Sequence, residues 1–193
     1  MQKIIDYYFS TSSPWTFLGH ARFGEVARRH GATIRVKPVD FGVIFPQSGG
    51  LPLPKRAPQR QAYRLVELGR WSLHLGVAMN IQPKHFPVNG NPAACLILGA
   101  PEAARFALAG AVLSALWTEE KNIAETEVLA QLAARHGVSD AGTAIAAGEP
   151  AYAELTEEAR ARGVFGAPTY SYRDELFWGQ DRLEFVDRAL GRA

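Results

Sequence analysis

A small mixed α/β sheet interrupted by a block of helices is the fold class that this sequence predicts. Three observations predict it. A strand-like run near the start leads into a helical pattern and a second strand-like run. A long, Ala-rich helical stretch fills the middle. Two short strand-like runs and one closing helix then end the chain. The order β-α-β, helices, β-β-α describes a sheet domain built around an insertion. We place the sheet domain at residues 1–56 and 163–193 and the all-helical insertion at 57–162.

Each element has a local cause. Lys3 to Phe9 is rich in β-branched and aromatic residues and nearly continuous, as in a strand buried on both faces. A helix is expected from Pro14 to about His30, because Ser13 is a good N-cap, proline suits the first helical position, and Gly31 is a stop signal. Thr33 to Val39 alternates Ile34 and Val36 with Arg35 and Lys37, which reads as a second strand, parallel to the first. Pro46, Gly49, Gly50, Pro52, Pro54 and Pro58 then predict a long loop from Phe41 to Pro58.

From Gln59 the pattern is helical. Leu68, Trp71 and Leu75 share a face, and Gly76 ends that helix. A turn-rich connection, His85 to Pro92, follows. Helices are expected from there to about Arg162, with breaks near Gly99-Ala100-Pro101, Lys121-Asn122, Gly137 and Gly148-Glu149-Pro150. Pro168 to Tyr172 and Leu176 to Trp178 form a hairpin across Arg173-Asp174-Glu175, and Asp181 to Leu190 closes the chain as a helix.

Composition narrows the function. With 21 Lys and Arg against 19 Asp and Glu, the net charge is only +2, and no long basic block is present. That argues against nucleic acid as a partner. Cys95 is the single cysteine and lies in an apolar stretch, so it reads as an inert buried thiol, with no internal disulfide and no thiolate metal cluster. No metal site is expected. After Lys3 the apolar residues are few and broken by Asp6, and no apolar run is long enough for a bilayer. A cytoplasmic protein without a membrane partner is expected.

The stretch Thr11-Ser12-Ser13-Pro14-Trp15-Thr16 joins the first strand to the first helix. It sets a hydroxyl and unpaired N–H donors at the positive end of a helix dipole, a ready place for an anion. Ser13 could equally be only a helix cap. The segments Tyr8 to Trp15, Gly163-Val164-Phe165-Gly166-Ala167-Pro168-Thr169 and Phe177 to Leu183 together resemble the 2-hydroxychromene-2-carboxylate isomerases. Those enzymes are relatives of the kappa-class glutathione transferases and of the DsbA-type thioredoxin fold. Tyr63, Leu68, Trp71, Phe86-Pro87 and Asn89 resemble the family's middle section.

The resemblance implies a thioredoxin-like sheet domain and glutathione as cofactor. Redox members of the fold carry Cys-Pro-x-Cys where this chain has Ser13-Pro14-Trp15-Thr16. With both sulfurs gone, disulfide exchange has no attacking group. An external thiol could supply one. A free thiol with pKa near 8.5 is only about 3% thiolate at neutral pH, and lowering the pKa by ~2 needs about 2.7 kcal/mol of preference for the anion. Ser13 is assigned as the hydrogen-bond donor to that sulfur, and so as the catalytic residue. By the same resemblance Pro168 is a cis-proline that leaves the Ala167 backbone free to pair with the tripeptide. Gln180 and Asp181 hold its γ-glutamyl end. His20, His30, His74, His85 and His136 show no partner pattern for a Ser-His-Asp set.

The implied reaction is the isomerisation of 2-hydroxychromene-2-carboxylate, or a related aromatic intermediate, to trans-o-hydroxybenzylidenepyruvate by reversible thiolate addition. Trp15, Phe41 and Trp178 are expected to line an apolar pocket, with Lys55, Arg56 or Arg60 holding the substrate carboxylate. Asn89 and Asn91 resemble an asparagine pair near the isomerase substrate site, and turn formation is their other role. This chain departs from the kappa pattern in the Pro-rich stretch, where it has prolines and Lys55 in place of an asparagine. Arg60 stands where some isomerases have lysine. Two alternatives share the sulfur site: a kappa-like transferase acting on electrophiles or peroxides, and a glutathione-binding module without turnover. The resembled families also suggest a homodimer.

Overall fold

The computed structural model describes residues 2–192. Strand β1 (Ile4–Phe9) lies at the centre of a four-stranded sheet of order β2-β1-β3-β4. It runs parallel to β2 (Thr33–Pro38) and antiparallel to β3 (Thr169–Tyr172), which forms a hairpin with β4 (Glu175–Trp178). Helix α1 (Pro14–Arg29) is the crossover between β1 and β2, and α8 (Leu183–Gly191) packs beside it. The strand-like alternation explains the core. Ile5, Tyr7 and Phe9 enter one hydrophobic cluster with Phe23, Val26, Leu183 and Val186. Tyr8 points to the other face, among Val39, Phe41, Ile44, Ala159 and Val164. As the unbroken apolar run predicts, β1 is covered on both sides.

The middle of the chain holds α3 (Pro58–Leu75), α4 (Asn91–Gly99), α5 (Glu102–Trp117), α6 (Thr126–Arg135) and α7 (Ala141–Ala161). Leu96, Val112, Trp117 and Leu129 from these helices share one cluster with Ile5, Tyr7 and Phe9 of the sheet.

Three sequence expectations are corrected. The stretch after Val39 is not a loop throughout: Phe41–Ser48 forms a helix, α2, and Leu53–Lys55 a 3-10 turn. Asp40 caps α2 by accepting from the Gly42 N–H at 2.7 Å. Burial of Phe41 and Ile44 outweighs the local cost of Pro46. Likewise α7 runs unbroken through Gly148-Glu149-Pro150. A Cβ on Gly148 would collide with the Cys95 carbonyl, and one on Gly99 with the Ala144 carbonyl, so glycine lets α4 and α7 approach closely. The closing helix begins later than Asp181, after a 3-10 turn at Gln180–Arg182. No helix among the described residues is long and apolar enough to cross a membrane.

Candidate active site

The β1–α1 turn is held from within. Ser13 adopts the extended N-cap conformation (φ −77°, ψ 125°), and its Oγ accepts from the Thr16 N–H at 3.2 Å. The Ser13 N–H donates to the Ser10 carbonyl at 3.1 Å. A serine hydroxyl has one hydrogen to donate, and the cap uses only a lone pair, so the hydrogen stays free for an outside acceptor. Thr11 donates to the Gly90 carbonyl at 2.8 Å and ties the turn to the start of α4. Thr16 is wholly buried, its Oγ1 without a partner among the described residues.

A cavity of about 520 Å³ opens beside this turn. Its walls come from Trp15 on α1, Ala167 before β3, Trp178 at the end of β4 and Gly179 to Arg182 after it, and residues from Arg56 to Trp71 leading into and along α3. The Ala167–Pro168 bond is cis. Ala167 lies just outside the β3–β4 ladder, whose pairing begins at Thr169 opposite Trp178. At Gly166 a side chain would strike the Trp178 indole, and at Gly179 (φ 109°) one would strike the Asp181 carboxylate. These two glycines let Trp178 and Asp181 pack close to the backbone at the cavity.

Of the residues singled out in the sequence, Trp15, Arg60, Ala167, Gln180 and Asp181 line the cavity, as do Arg56 and Trp178. Ser13 is not among the lining residues; it lies two positions before Trp15. Pro168 is buried directly behind Ala167. Gln180 is only 2% exposed, and its Oε1 accepts from Arg22 Nη1 at 2.9 Å, so what it presents to the cavity is backbone more than amide. Asp181 accepts from Arg182 at 2.7 Å.

Phe41, expected in the pocket, instead packs under the sheet beside Tyr8. Lys55 is exposed and does not border the cavity. Asn89 and Asn91 also lie off its wall and serve the fold: Asn89 accepts from the Asn91 N–H at 3.1 Å, while Asn91 joins Asp40 and Tyr152. Sequence reading missed Arg64, Glu67 and Arg182 as wall residues. The four-residue spacing of Arg56, Arg60 and Arg64 was the available signal.

Charge on this wall is mostly positive. Burial, then the neighbouring Arg60, draws the Arg56 guanidinium below its usual range. Burial, then Arg56, pulls Arg64 down to about 10. The histidines lie elsewhere. His20 lies on the buried face of α1, with Nε2 3.1 Å from the Phe106 carbonyl and Nδ1 3.2 Å from the Tyr7 hydroxyl. A carbonyl can only accept, so Nε2 carries the hydrogen and Nδ1 accepts from Tyr7. His30 meets Asp187 at 2.6 Å. No group of three or more potential metal-ligating side chains forms a cluster among the described residues.

A cavity with a cationic wall and tryptophans, beside a helix N-terminus without sulfur, suits an anionic aromatic ligand and a borrowed thiol. The family profile described as DSBA-like thioredoxin domain matches residues 4–191. A 2-hydroxychromene-2-carboxylate isomerase from Pseudomonas putida is 29% identical over 197 residues, covering 98% of this chain and 95% of its own. A solved structure of 2-hydroxychromene-2-carboxylate isomerase superposes with a TM-score of 0.81 at 30% identity, over 98% of this chain and 95% of that one. The cytosolic disulfide reductase DsbM from Pseudomonas aeruginosa, solved with GSH, shares the fold, with a TM-score of 0.67 at 17% identity over 97% and 99% of the two chains. By a match that runs almost end to end, the chain belongs to the DSBA-like thioredoxin family, in its 2-hydroxychromene-2-carboxylate isomerase branch.

Proposed function

We propose that this protein is a glutathione-dependent isomerase. It converts 2-hydroxychromene-2-carboxylate, or a related intermediate of aromatic degradation, to trans-o-hydroxybenzylidenepyruvate. One observation carries the reading: the turn that holds two sulfurs in redox members here holds Ser13 and Thr16, next to a cavity of tryptophans and arginines. Glutathione in the DsbM structure supports the choice of thiol.

The residues present fit that tripeptide. Ser13 keeps a free hydroxyl hydrogen at the α1 N-terminus, Ala167 offers unpaired backbone beside the cavity, and Asp181, one oxygen of which accepts from Arg182, has its other oxygen for an ammonium group. When bound, glutathione supplies a thiolate whose reversible addition turns a conjugated double bond into one that can rotate. The chain's own part is to favour that anion. Ser13 donates a hydrogen bond, and the α1 dipole adds a positive potential in the same place. The arginine wall orients the substrate carboxylate, and Trp15 and Trp178 exclude water from its ring. No residue needs to take a proton from carbon.

The test is an assay with and without glutathione. Conversion of the chromene carboxylate that needs glutathione but does not consume it is the expected result. Stoichiometric loss of glutathione to an aryl halide, with no isomerised product, would favour the transferase reading. Binding of glutathione without either reaction would favour a module without turnover.

A homodimer in the cytoplasm completes the proposal. Helix α3 supports the dimer. Ala62, Val66, Gly69 and Leu73 form an apolar stripe along it, and Leu73 is 85% exposed. A Cβ on Gly69 would meet nothing in this chain, so the fold itself gives no reason for a mid-helix glycine. The reducing compartment suits a thiol cofactor.

A further inference from the structure

One wall of the cavity carries more charge than the chain itself balances. Arg56, Arg60 and Arg64 all line it. The two acids there are already engaged, Glu67 with Arg70 at 2.8 Å and Asp181 with Arg182 at 2.7 Å. Of the three, Arg64 is the most withdrawn from water. Its guanidinium carbon lies 4.9 Å from the centre of the Phe86 ring and 6.0 Å from that of Trp117. Its Nη2 is sealed from solvent and has no hydrogen-bond partner among the described residues. Burial and the Arg56 charge act on it, and no carboxylate among the described residues forms an ion pair with it. The group is still protonated at neutral pH, because its pKa falls only to about 10. A desolvated cation without a counter-charge is unfavourable until an anion completes it.

We propose that Arg64 anchors the carboxylate of an aromatic acid whose ring lies between Trp15, Tyr63, Trp71 and Trp178, an inference that rests on reading the cavity as the isomerase substrate site. Since Nη2 is sealed, the carboxylate meets the edge of the guanidinium that borders the cavity. Both two-nitrogen edges of a guanidinium include Nη2, so the contact is a single charge-assisted hydrogen bond from a nitrogen open to the cavity, in a plane that a rotating ammonium group does not keep. The partial burial that makes Arg64 unfavourable when alone also strengthens it when paired, whereas exposed Arg60 and Lys55 are screened by water. Two aromatic rings against the guanidinium fix its plane and, with it, the direction of the bound acid.

The probes are 2-naphthoate and its uncharged amide, titrated by calorimetry into the full chain, its Arg64→Met and Arg64→Lys variants, and Lys55→Met as control. The wild type is expected to prefer the acid at least about tenfold, as a charge-assisted hydrogen bond allows. Arg64→Met removes that preference, Arg64→Lys keeps only part of it, and Lys55→Met keeps it whole. No preference in the wild type overturns the proposal. So does a preference unchanged in Arg64→Lys, a variant that preserves charge and bulk and so stays informative if Arg64→Met does not fold. The isomerase assay separates the two readings. Arg64-dependent naphthoate binding without chromene turnover sinks the isomerase reading alone. Turnover with an unmoved KM in Arg64→Lys sinks the anchor alone.

Discussion

Ser13 has two tasks on one oxygen. Its lone pair caps α1 through the Thr16 N–H, and its hydrogen is free for the sulfur that we propose it meets. Ser13→Ala therefore loses both. Turnover is expected to fall by about a hundredfold, as on loss of a donor to a developing anion, and stability by about 1 kcal/mol from the missing cap. Ser13→Asp keeps a cap but sets a like charge against the thiolate, so it should restore the melting temperature and not the rate. Steady-state kinetics with thermal melts of both variants checks this.

His20 makes a different prediction. Burial pulls its pKa down to about 4, against 6.5 in the unfolded chain. Between those values the unfolded state binds the extra proton. Its contribution to stability is therefore complete above about pH 6.5 and is lost as the pH falls towards 4. The loss should reach about 3 kcal/mol at most. Unfolding free energies at pH 7 and pH 5 should differ less in His20→Gln than in the wild type. An unchanged pH slope in that variant would show that His20 is not held neutral. Sequence spacing could not show this, since Tyr7 reaches His20 by the packing of α1 on β1 and Phe106 by the packing of α1 against α5.

Among the elements, the strands and α1 were legible because their causes are local: a β-branched run, a serine–proline start, a glycine stop. Helix α2 was not. Proline and glycine near Phe41 argue for a loop, and what overrides them is burial of Phe41 and Ile44 against Tyr8, Ala159 and Val164, distant in sequence. Pro150 misled for the same reason, since α7 is held by its close contact with α4. Gly148→Ala should test that contact, because the added methyl meets the Cys95 carbonyl. A loss of about 1–3 kcal/mol by denaturant unfolding is expected, as for overpacking. In the proposed dimer, helix α3 carries the interface. Packed antiparallel across a two-fold axis between positions 67 and 68, two copies would set Ala62 against Leu73 and Val66 against Gly69, small against large. Leu73→Glu should give a monomer by light scattering, with the melting temperature of a dilute wild type. A variant still dimeric would place the interface elsewhere.

At the scale of the molecule, the sheet is fastened on both faces, and the two fastenings differ. One is the large apolar cluster that runs from β1 into α4 and α5. The other is partly ionic. Lys37, nearly buried, reaches Asp6 at 3.1 Å and Glu158 of α7 at 2.6 Å, and Tyr8 also donates to Glu158 at 2.6 Å. This network pins α7 beneath the sheet, while the β1–α1 turn and cavity remain open above α3. The β1–α1 turn is held by its own local hydrogen bonds, which is why the terminal motifs could be read from sequence. The cavity wall could be read only in part. Arg60 and Arg64 come from α3, whose position depends on packing against α1, and the asparagines expected there bond within the chain, Asn89 in a turn and Asn91 to Asp40 and Tyr152. The most direct measurement is a crystal structure of the protein with glutathione, reading the distance from the tripeptide sulfur to Ser13 Oγ. A sulfur within hydrogen-bond distance, with the peptide alongside Ala167, is the expected result. A tripeptide held elsewhere, its sulfur remote from the start of α1, would contradict the borrowed-thiol account.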